Sequence, residues 1–423
     1  MTKADARTLA TYAMTGVLRG TFTPSSEVAH EDVAQLAELA DAASPELVAK
    51  TALLARTHGP KRELPAVLVA WLATRDVPRM EHVFARIVDD GPSLRTFCRV
   101  IRSGVLGRKS FGSAPKRAVR RWFASRSPEA IFRQSFGRSP SMSDVIKMVR
   151  PPPWNDQGEA DAVREALYGY LVGKSVDPRL LPPLARAFDA FANERGPVPD
   201  LPLEMLASVP LRTAHWTELA PKMTFSQLRA HLGTLLRHGV LADALMAERV
   251  ASALSDPLAI ARAKVLPFAL VSTLRSVAAY APTVITAALA KAVELSYANV
   301  PAVAGGVTVR VDGSGSMLGP LAGARRAPAD ALRCIDVAGL VTRAYGSTPG
   351  NAVRIAVSDC EARTMEGDVL VDLQPRPGPA SEVPGVLYVA GFSDDVFEVI
   401  ARFARGELDG DRWLDAIERA PLD

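Results

Sequence analysis

Hydrophobic residues recur at helical spacing through about the first 300 residues of the chain. One stripe, at positions i, i+3, i+4, i+7 and i+8, consists of Leu64, Val67, Leu68, Trp71 and Leu72. A second stripe of similar kind consists of Phe225, Leu228, Leu232, Leu235 and Leu236. Because this spacing gathers apolar side chains on one side of a helix, each stripe predicts a helix that buries one face.

Signals for helix starts and ends lie between such stripes. Ser44-Pro45-Glu46 and Ser127-Pro128-Glu129 each place Ser at the N-cap and Pro at the first helical position, and Pro-rich stretches such as "RPPPW" and "RGPVPDLP" end helical segments. A succession of short amphipathic helices predicts an α-solenoid. Because no strict sequence period is visible, this prediction depends on helix spacing alone.

The pattern becomes α/β after about residue 305. The segments "GVTVRV", "NAVRIAV" and "GVLYVAGF" predict buried strands, and "ADALRCIDVAGLVTRAY" and "DDVFEVIARFARG" predict helices. This alternation is typical of a parallel sheet with crossover helices, in which chemistry lies at the carboxyl ends of the strands. The sequence therefore predicts a helical domain over residues 1–300 and an α/β domain over residues 301–423.

A candidate site directly follows the first of these strands, where Asp312, Ser314 and Ser316 alternate with glycine. Three oxygens from one loop suit a hard cation such as Mg²⁺, and the same pattern also fits a bare glycine-rich turn, so both interpretations stay open. Other motifs fail. A GxSxG motif would need glycine at Asp312, and the "GKS" at 173–175 has Tyr168 where a P-loop needs its first glycine.

Composition places the protein in a broad class. With 423 residues, 48% of them hydrophobic, the chain can form two or three domains with cores. The start lacks the apolar stretch of a secretory signal, and Arg275, Pro267 and Pro282 interrupt the most apolar later region. We therefore expect a soluble cytoplasmic protein without a membrane segment. Three cysteines without a CxxC pair are expected to be core thiols: Cys98, Cys334 and Cys360.

Positive charge is concentrated in one part of the chain. Residues 95–150 hold fourteen Lys and Arg against only Glu129 and Asp144, a local balance of +12 in a chain whose net charge is +4. Because phosphates neutralised by Lys and Arg release counterions, such a concentration favours a polyanion as partner. The alternative is a solvated helical face that happens to be basic.

Several segments together resemble the Ro proteins, which combine a TROVE domain with a von Willebrand factor A-type domain. "KMTFSQLRAHLGTLLRHGVL" (222–241), "FGSAPKRAVRRWFA", "SMSDVIKMVRP" and "VLYVAGFSDDVFEVIARFARG" are similar to four segments of that family. The resemblance implies HEAT-like helical repeats closed into a ring by the A-type domain. It also implies an RNA-binding protein that holds small noncoding Y RNAs on a basic outer surface and single-stranded RNA 3′ ends in a central hole. An exoribonuclease partner is a further implication.

Two departures from the family pattern change what is expected. Met142 stands where the family has a histidine implicated in RNA contact, although basic neighbours remain. The A-type domain lacks the family's Gly-Gly-Thr-Asp loop and Phe-Thr-Asp-Asn-Glu strand end, which supply further metal ligands. With only Asp312, Ser314 and Ser316 left, we expect the loop to be chiefly a structural turn that binds Mg²⁺ weakly or not at all.

Candidate RNA-binding residues follow from the charge and from the resemblance. The basic helix with its approach and the surface beyond it contribute Arg108, Lys109, Lys116, Arg117, Arg120, Arg121, Arg138, Lys147 and Arg150. By resemblance, Arg229 and Arg237 line the inner edge of the ring together with His231 and His238. For these two histidines, ordinary surface positions are the favoured interpretation.

Two other function classes stay open. A protein-interaction scaffold would use the A-type domain to grip an acidic partner residue through a cation. An enzyme acting on RNA would need paired carboxylates or a two-metal cluster, and the basic region contains no such pair. The sequence therefore predicts a Ro-type RNA-binding protein that is not an enzyme.

Overall fold

The computed structural model describes residues 3–24, 28, 30–137, 139–155, 157–193, 197–321, 332–346, 352–374 and 383–422. Arg138, one of the candidate RNA-binding residues, lies outside them. The elements up to residue 206 are α1 (Lys3–Thr15), β1 (Val17–Leu18), β2 (Thr21–Phe22), α2 (His30–Asp41), α3 (Pro45–His58), α4 (Leu64–Arg75), α5 (Val77–Ile87), α6 (Gly91–Ser103), α7 (Ser113–Ala124), α8 (Pro128–Arg133), α9 (Met142–Val149), α10 (Ala162–Leu171), α11 (Pro183–Ala192) and α12 (Leu203–Leu206).

Six further helices precede the α/β part of the chain, and strands and helices then alternate. These elements are α13 (Thr213–Leu219), α14 (Phe225–Arg237), α15 (Ala244–Leu254), α16 (Pro257–Ala263), α17 (Pro267–Val277), α18 (Thr283–Ser296), β3 (Val307–Val311), α19 (Cys334–Tyr345), β4 (Val353–Ser358), β5 (Val369–Asp372), β6 (Leu387–Ala390), α20 (Asp395–Ala404) and α21 (Gly410–Arg419).

Both helix starts expected from the Ser-Pro-Glu signals are confirmed. Ser44 Oγ accepts a hydrogen bond from the N–H of Leu47 at 3.2 Å, and Ser127 Oγ accepts one from the N–H of Ala130 at 3.2 Å. Each serine thus satisfies one of the N–H groups that the first helical turn leaves unpaired. Pro45 and Pro128 occupy the first helical positions, where a missing N–H costs nothing.

One compact unit comprises Met1–Gly16, Ser25–Pro210 and Asp409–Asp423. Helix α4 lies at its centre, since every residue from Leu64 to Ala73 is buried among α2, α3, α5 and α6. The prediction that this helix buries only one face is therefore wrong. Its non-stripe positions are mostly alanine and valine, which neighbouring helices can cover on every side.

The second compact unit comprises Val17–Pro24 and Leu211–Leu408. Its sheet has the order β1-β2-β6-β5-β4-β3, in which β2 to β6 pair in parallel and only β1 pairs antiparallel with β2. Helices α19 and α20 pack their apolar faces on this sheet, and Val337, Val341, Phe397 and Ile400 are buried there. The three strands predicted from the sequence are confirmed as β3, β4 and β6.

The sheet also contains strands that the sequence analysis missed. Strand β5 lies between the predicted strands β4 and β6 and is not among the predictions, and the β1–β2 hairpin lies in the region predicted to be helical. Two-residue strands carry no periodic signal, so only their pairing with β6 identifies them. The proposed domain boundary near residue 300 stays a prediction.

Cysteine burial and helix hydropathy bear on the remaining expectations. Cys98 and Cys334 are buried, as expected of core thiols, whereas Cys360 is partly exposed, so that prediction is wrong for Cys360.

Within the described residues, no single helix is long and apolar enough to cross a bilayer. The pair Pro257–Ala263 and Pro267–Val277, bent by 117°, would satisfy length and composition only when taken together.

Candidate nucleic-acid interface

Helix α7 presents a basic face. Its apolar residues Ala118, Val119, Trp122 and Phe123 are buried, which directs the residues between them outward. Four cations line one groove together with Gly112, Ser113, Ala124 and Pro152: Lys116, Arg117, Arg120 and Arg121. This α7 groove has a cavity volume of about 710 Å³. The predicted clustering of these four cations on one face is therefore found in the structure, while their contact with RNA stays a prediction.

The four cations of the α7 groove differ in whether they pair with other groups of the protein. Arg117 pairs with Glu81 of α5, with Nη2 2.6 Å from Oε1, and Arg120 Nε donates to the carbonyl of Val149 at 2.7 Å. Lys116 and Arg121 make no hydrogen bond or ion pair with the side chains or carbonyls that the structure describes. These two are the groove's available cations.

Helix α9 carries the cations that extend this surface. Ser141 and Asp144 form a capping box, and the hydroxyl of Ser141 holds the pKa of the Asp144 carboxyl below its ordinary value. Met142, at the family's histidine position, is only 1% exposed and packs in the core. Lys147 and Arg150 are exposed at the end of the helix and line one cavity together, and Lys147 also lines a second one. Arg102, which the sequence analysis did not single out, faces Lys147 across one of them.

Several basic residues between positions 95 and 150 make contacts within the protein that stabilise the fold. Arg99 pairs with Glu63 at 2.7 Å, and the Arg126 guanidinium lies 4.0 Å from the centre of the Trp122 ring while donating to the carbonyl of Asp89. Arg108 Nε donates to the carbonyl of Ser110 at 3.0 Å, whereas Lys109 is exposed. The charge balance of +12 therefore overstates the number of cations available to a ligand.

A second groove lies between α14 and α17. Arg229, Arg237 and Tyr280 line this α14 groove together with Gly233 and Thr234. Arg237 Nε donates to the carbonyl of Gly233 at 3.3 Å, and Arg229 Nη1 donates to Thr273 Oγ1 at 3.3 Å. Tyr280 is 57% exposed, which makes it a flat aromatic surface beside two guanidinium groups. The sequence analysis found the two arginines and missed this tyrosine.

His231 and His238 are not ordinary surface histidines. Both are half-buried and flank the buried Trp216, with ring centres 5.5 Å and 5.9 Å from the tryptophan ring. The favoured sequence interpretation was therefore wrong. The two imidazoles pack against a core residue, so they contribute to the scaffold of α14 and not to its open groove.

The Asp312 turn, formed by Asp312, Ser314 and Ser316, lies at the carboxyl end of β3. Asp312 Oδ1 accepts from the N–H of Ser314 at 2.8 Å, and Oδ2 accepts from the hydroxyl of Ser358 at 2.8 Å. The N–H of Ser314 thereby holds the pKa of Asp312 below its ordinary value. The hydroxyls of Ser314 and Ser316 are 2.8 Å apart and bond to each other.

The carboxylate of Asp394 is engaged away from the Asp312 turn. Asp394, after β6, accepts hydrogen bonds from the N–H groups of Phe268 and Ala269 at 3.1 Å and 3.0 Å and thus caps α17. Burial raises the pKa of this carboxyl to about 6. Within the described parts of the chain, no three His, Cys, Asp or Glu side chains are grouped so that they could hold a metal ion. The donor set therefore does not fit a tightly bound Mg²⁺.

Comparisons with known proteins bear on the fold. No protein-family model and no curated protein sequence matches the chain. Among solved structures, the chain is similar to the Ro (RSR) protein of Deinococcus radiodurans, with a TM-score of 0.68 and 20% sequence identity over 95% of this chain and 100% of that chain. The fold class predicted from the sequence, helical repeats followed by a shortened α/β domain, is thereby confirmed. The chain has the fold of a Ro protein, as its sequence motifs predicted.

Proposed function

We propose that this protein is a Ro-type RNA-binding protein that holds RNA through its phosphates on the α7 groove. The observation that carries the proposal is the convergence of Lys116, Arg117, Arg120 and Arg121 on one open groove. Two of these cations have no protein partner among the described residues, so phosphate oxygens would satisfy donors that are otherwise only solvated. Lys147 and Arg150 extend the same surface past the end of α9.

The RNA is proposed to be a small, structured noncoding RNA of the Y RNA kind, with a single-stranded 3′ end held separately. The α14 groove suits such an end, because unpaired bases stack on aromatic rings and phosphates pair with guanidinium groups. An exoribonuclease is the proposed protein partner, and the cytoplasm is the proposed location. We propose no enzymatic activity, since the α7 groove combines its cations with no pair of carboxylates.

Salt titration of RNA binding tests the proposal. If the protein contacts about six phosphates, its affinity for a structured RNA should fall by about a thousandfold as salt rises from about 50 to about 200 mM. Each contact releases condensed counterions, and added salt opposes that release. Fluorescence anisotropy with a labelled hairpin measures the slope, and sequencing of the RNA that copurifies identifies natural ligands. Binding that is absent at low salt, or that stays constant across this range, would contradict an RNA-binding function.

The Asp312 turn is proposed to stabilise the α/β part of the chain without a tightly bound metal. Replacing Asp312 with Ala removes two hydrogen bonds, so we expect the melting temperature to fall by about 2–5 °C while RNA affinity stays unchanged. The control Asp312→Asn keeps a side-chain oxygen for the N–H of Ser314, so its melting temperature should fall less. Neither Mg²⁺ nor a chelator should shift the melting temperature of the unmodified protein.

Mg²⁺-dependent stabilisation that disappears in both Asp312 variants would contradict this proposal. It would instead favour the scaffold alternative, in which a cation held by the turn grips an acidic residue of another protein. The present geometry offers that alternative little support, because both carboxylate oxygens of Asp312 already accept hydrogen bonds.

A further inference from the structure

A cavity of about 760 Å³ opens beside the end of α9, between this helix, α10 and the short turn Pro178–Leu180. Its volume lies in the range of sites that take organic ligands of moderate size. The walls of this α10 cavity are mainly apolar and include Ile146, Pro151, Val176 and Leu180. Leu180 is 43% exposed and adds apolar surface at the edge of the cavity.

Three cations stand around the α10 cavity. Lys147 and Arg150 come from α9 and its end, and Lys174 comes from the loop after α10. Their side chains make no hydrogen bond or ion pair with the described part of the protein. Cations without a protein partner beside apolar walls suit a ligand that has both an anionic group and a flat apolar body.

A buried tyrosine forms part of the wall of the α10 cavity. Tyr168 lines it and is only 7% exposed, and its hydroxyl finds no hydrogen-bond partner among the described residues. The adjacent Arg164 directs its terminal nitrogens to the carbonyls of Phe123 and Arg126 instead. Since this hydroxyl is itself buried, Tyr168 contributes wall to the cavity and not a donor to its interior.

The α10 cavity is separated from the proposed RNA surface by residues 151–153. Pro152 lines the α7 groove, while its neighbours Pro151 and Pro153 line the α10 cavity. Arg120 of the groove also donates to the carbonyl of Val149, which precedes this proline segment. The α7 groove and the α10 cavity therefore border the same three-residue segment, so one RNA could contact both.

We propose that the α10 cavity takes an unpaired nucleobase of the bound RNA. The apolar walls and the carboxylate of Glu165 disfavour a bare phosphate inside the cavity. A neutral nucleobase is compatible with both features, because its ring can pack on the apolar walls and its amino group can donate a hydrogen bond to Glu165. The flanking phosphates contact Lys147, Arg150 and Lys174. This inference rests on the proposed RNA-binding function and adds a contact that reads a base, which phosphate contacts cannot do.

The "GKS" segment at 173–175, which is excluded as a P-loop, lies at this cavity. The "GKS" at 173–175 fails as a P-loop because Tyr168 replaces the first glycine, yet Tyr168, Lys174 and Ser175 all line the α10 cavity. The turn after them is a three-residue 3-10 helix, which is too short to offer a helix N-terminus to a phosphate. Tyr168, Lys174 and Ser175 instead line the cavity that we propose for a nucleobase ring.

The test compares RNA hairpins that differ at one unpaired position. The unmodified protein should bind a hairpin with an intact unpaired nucleotide about tenfold more tightly than the same hairpin with an abasic site there. Ser175 is exposed at the cavity, so Ser175→Trp fills the space without disturbing the core, and it should bind both hairpins with the affinity of the abasic one. The matched control Ser175→Ala should keep the tenfold difference.

Photocrosslinking provides a measurement that does not depend on a variant folding. A hairpin with 4-thiouridine at the unpaired position should crosslink to the peptide that spans residues 162–180 in the unmodified protein. The inference is overturned if intact and abasic hairpins bind equally, if Ser175→Trp and Ser175→Ala behave alike, or if crosslinks map only elsewhere. In those cases RNA would still bind with a steep salt dependence, whereas failure of the proposed function itself would remove RNA binding altogether.

Discussion

Replacing Lys116 and Arg121 together with glutamate is expected to lower the affinity for a structured RNA on the order of a hundredfold at moderate salt. The double variant removes the two available cations of the α7 groove and adds two negative charges where phosphates would lie. The slope of log affinity against log salt should also become shallower by about two, one for each phosphate that is no longer neutralised.

The choice of these two positions follows from the structure. Neither side chain makes a hydrogen bond or ion pair with the described residues, so thermal stability and helical circular dichroism should not change. Arg117→Glu would be a poorer test, because it would place two carboxylates together at Glu81 and destabilise the contact between α5 and α7. The control with the same change in charge is Arg249→Glu with Lys291→Glu, two exposed cations outside the groove.

Equal RNA affinity of the Lys116/Arg121 variant and the Arg249/Lys291 control would contradict the assignment of the α7 groove. Such a result would mean that net charge, and not this particular groove, determines binding. Loss of affinity accompanied by a lower melting temperature would point to damage of α7, which the circular dichroism control detects.

A single-stranded 3′ extension of about eight nucleotides should raise the affinity of a hairpin about tenfold over the same hairpin with a flush end. Tyr280→Ala should abolish this difference, because it removes the exposed ring on which an unpaired base can stack beside Arg237. Tyr280→Phe keeps the ring and should preserve the preference. Competition anisotropy with extended and flush hairpins measures the ratio for each variant.

The second residue for this test is Arg237 and not Arg229. The positive charge of Arg229 acts on the partly buried Asp394 carboxyl that caps α17, so reversing it would bring two negative charges together and disturb the fold. Among the described residues, Arg237 donates to a carbonyl and a hydroxyl of its own helix, so Arg237→Glu breaks no ion pair that the structure describes. If both hairpins lose affinity equally in Tyr280→Ala and Arg237→Glu, the α14 groove does not hold the extension.

The sequence by itself determined many of the helices, three of the strands and the region of concentrated positive charge. Helix starts at Ser44 and Ser127, the buried stripe of α14 and the strands β3, β4 and β6 were predicted because caps and side-chain periodicity act over a few residues. Clustering of the α7 cations followed equally from the helical period, and the placement of Asp312 after a strand followed from the α/β pattern.

Only the tertiary structure decided which of those residues are available. Glu81 and the carbonyl of Val149 lie 36 and 29 positions from the arginines they engage, and no local pattern reports such a pairing. The same holds for the β1–β2 hairpin, which is identified only by pairing with β6. Tyr280 and the α10 cavity become visible only once separate helices pack. Local rules fix elements because their interactions are short in sequence, whereas grooves and ion pairs form between residues that packing alone brings together.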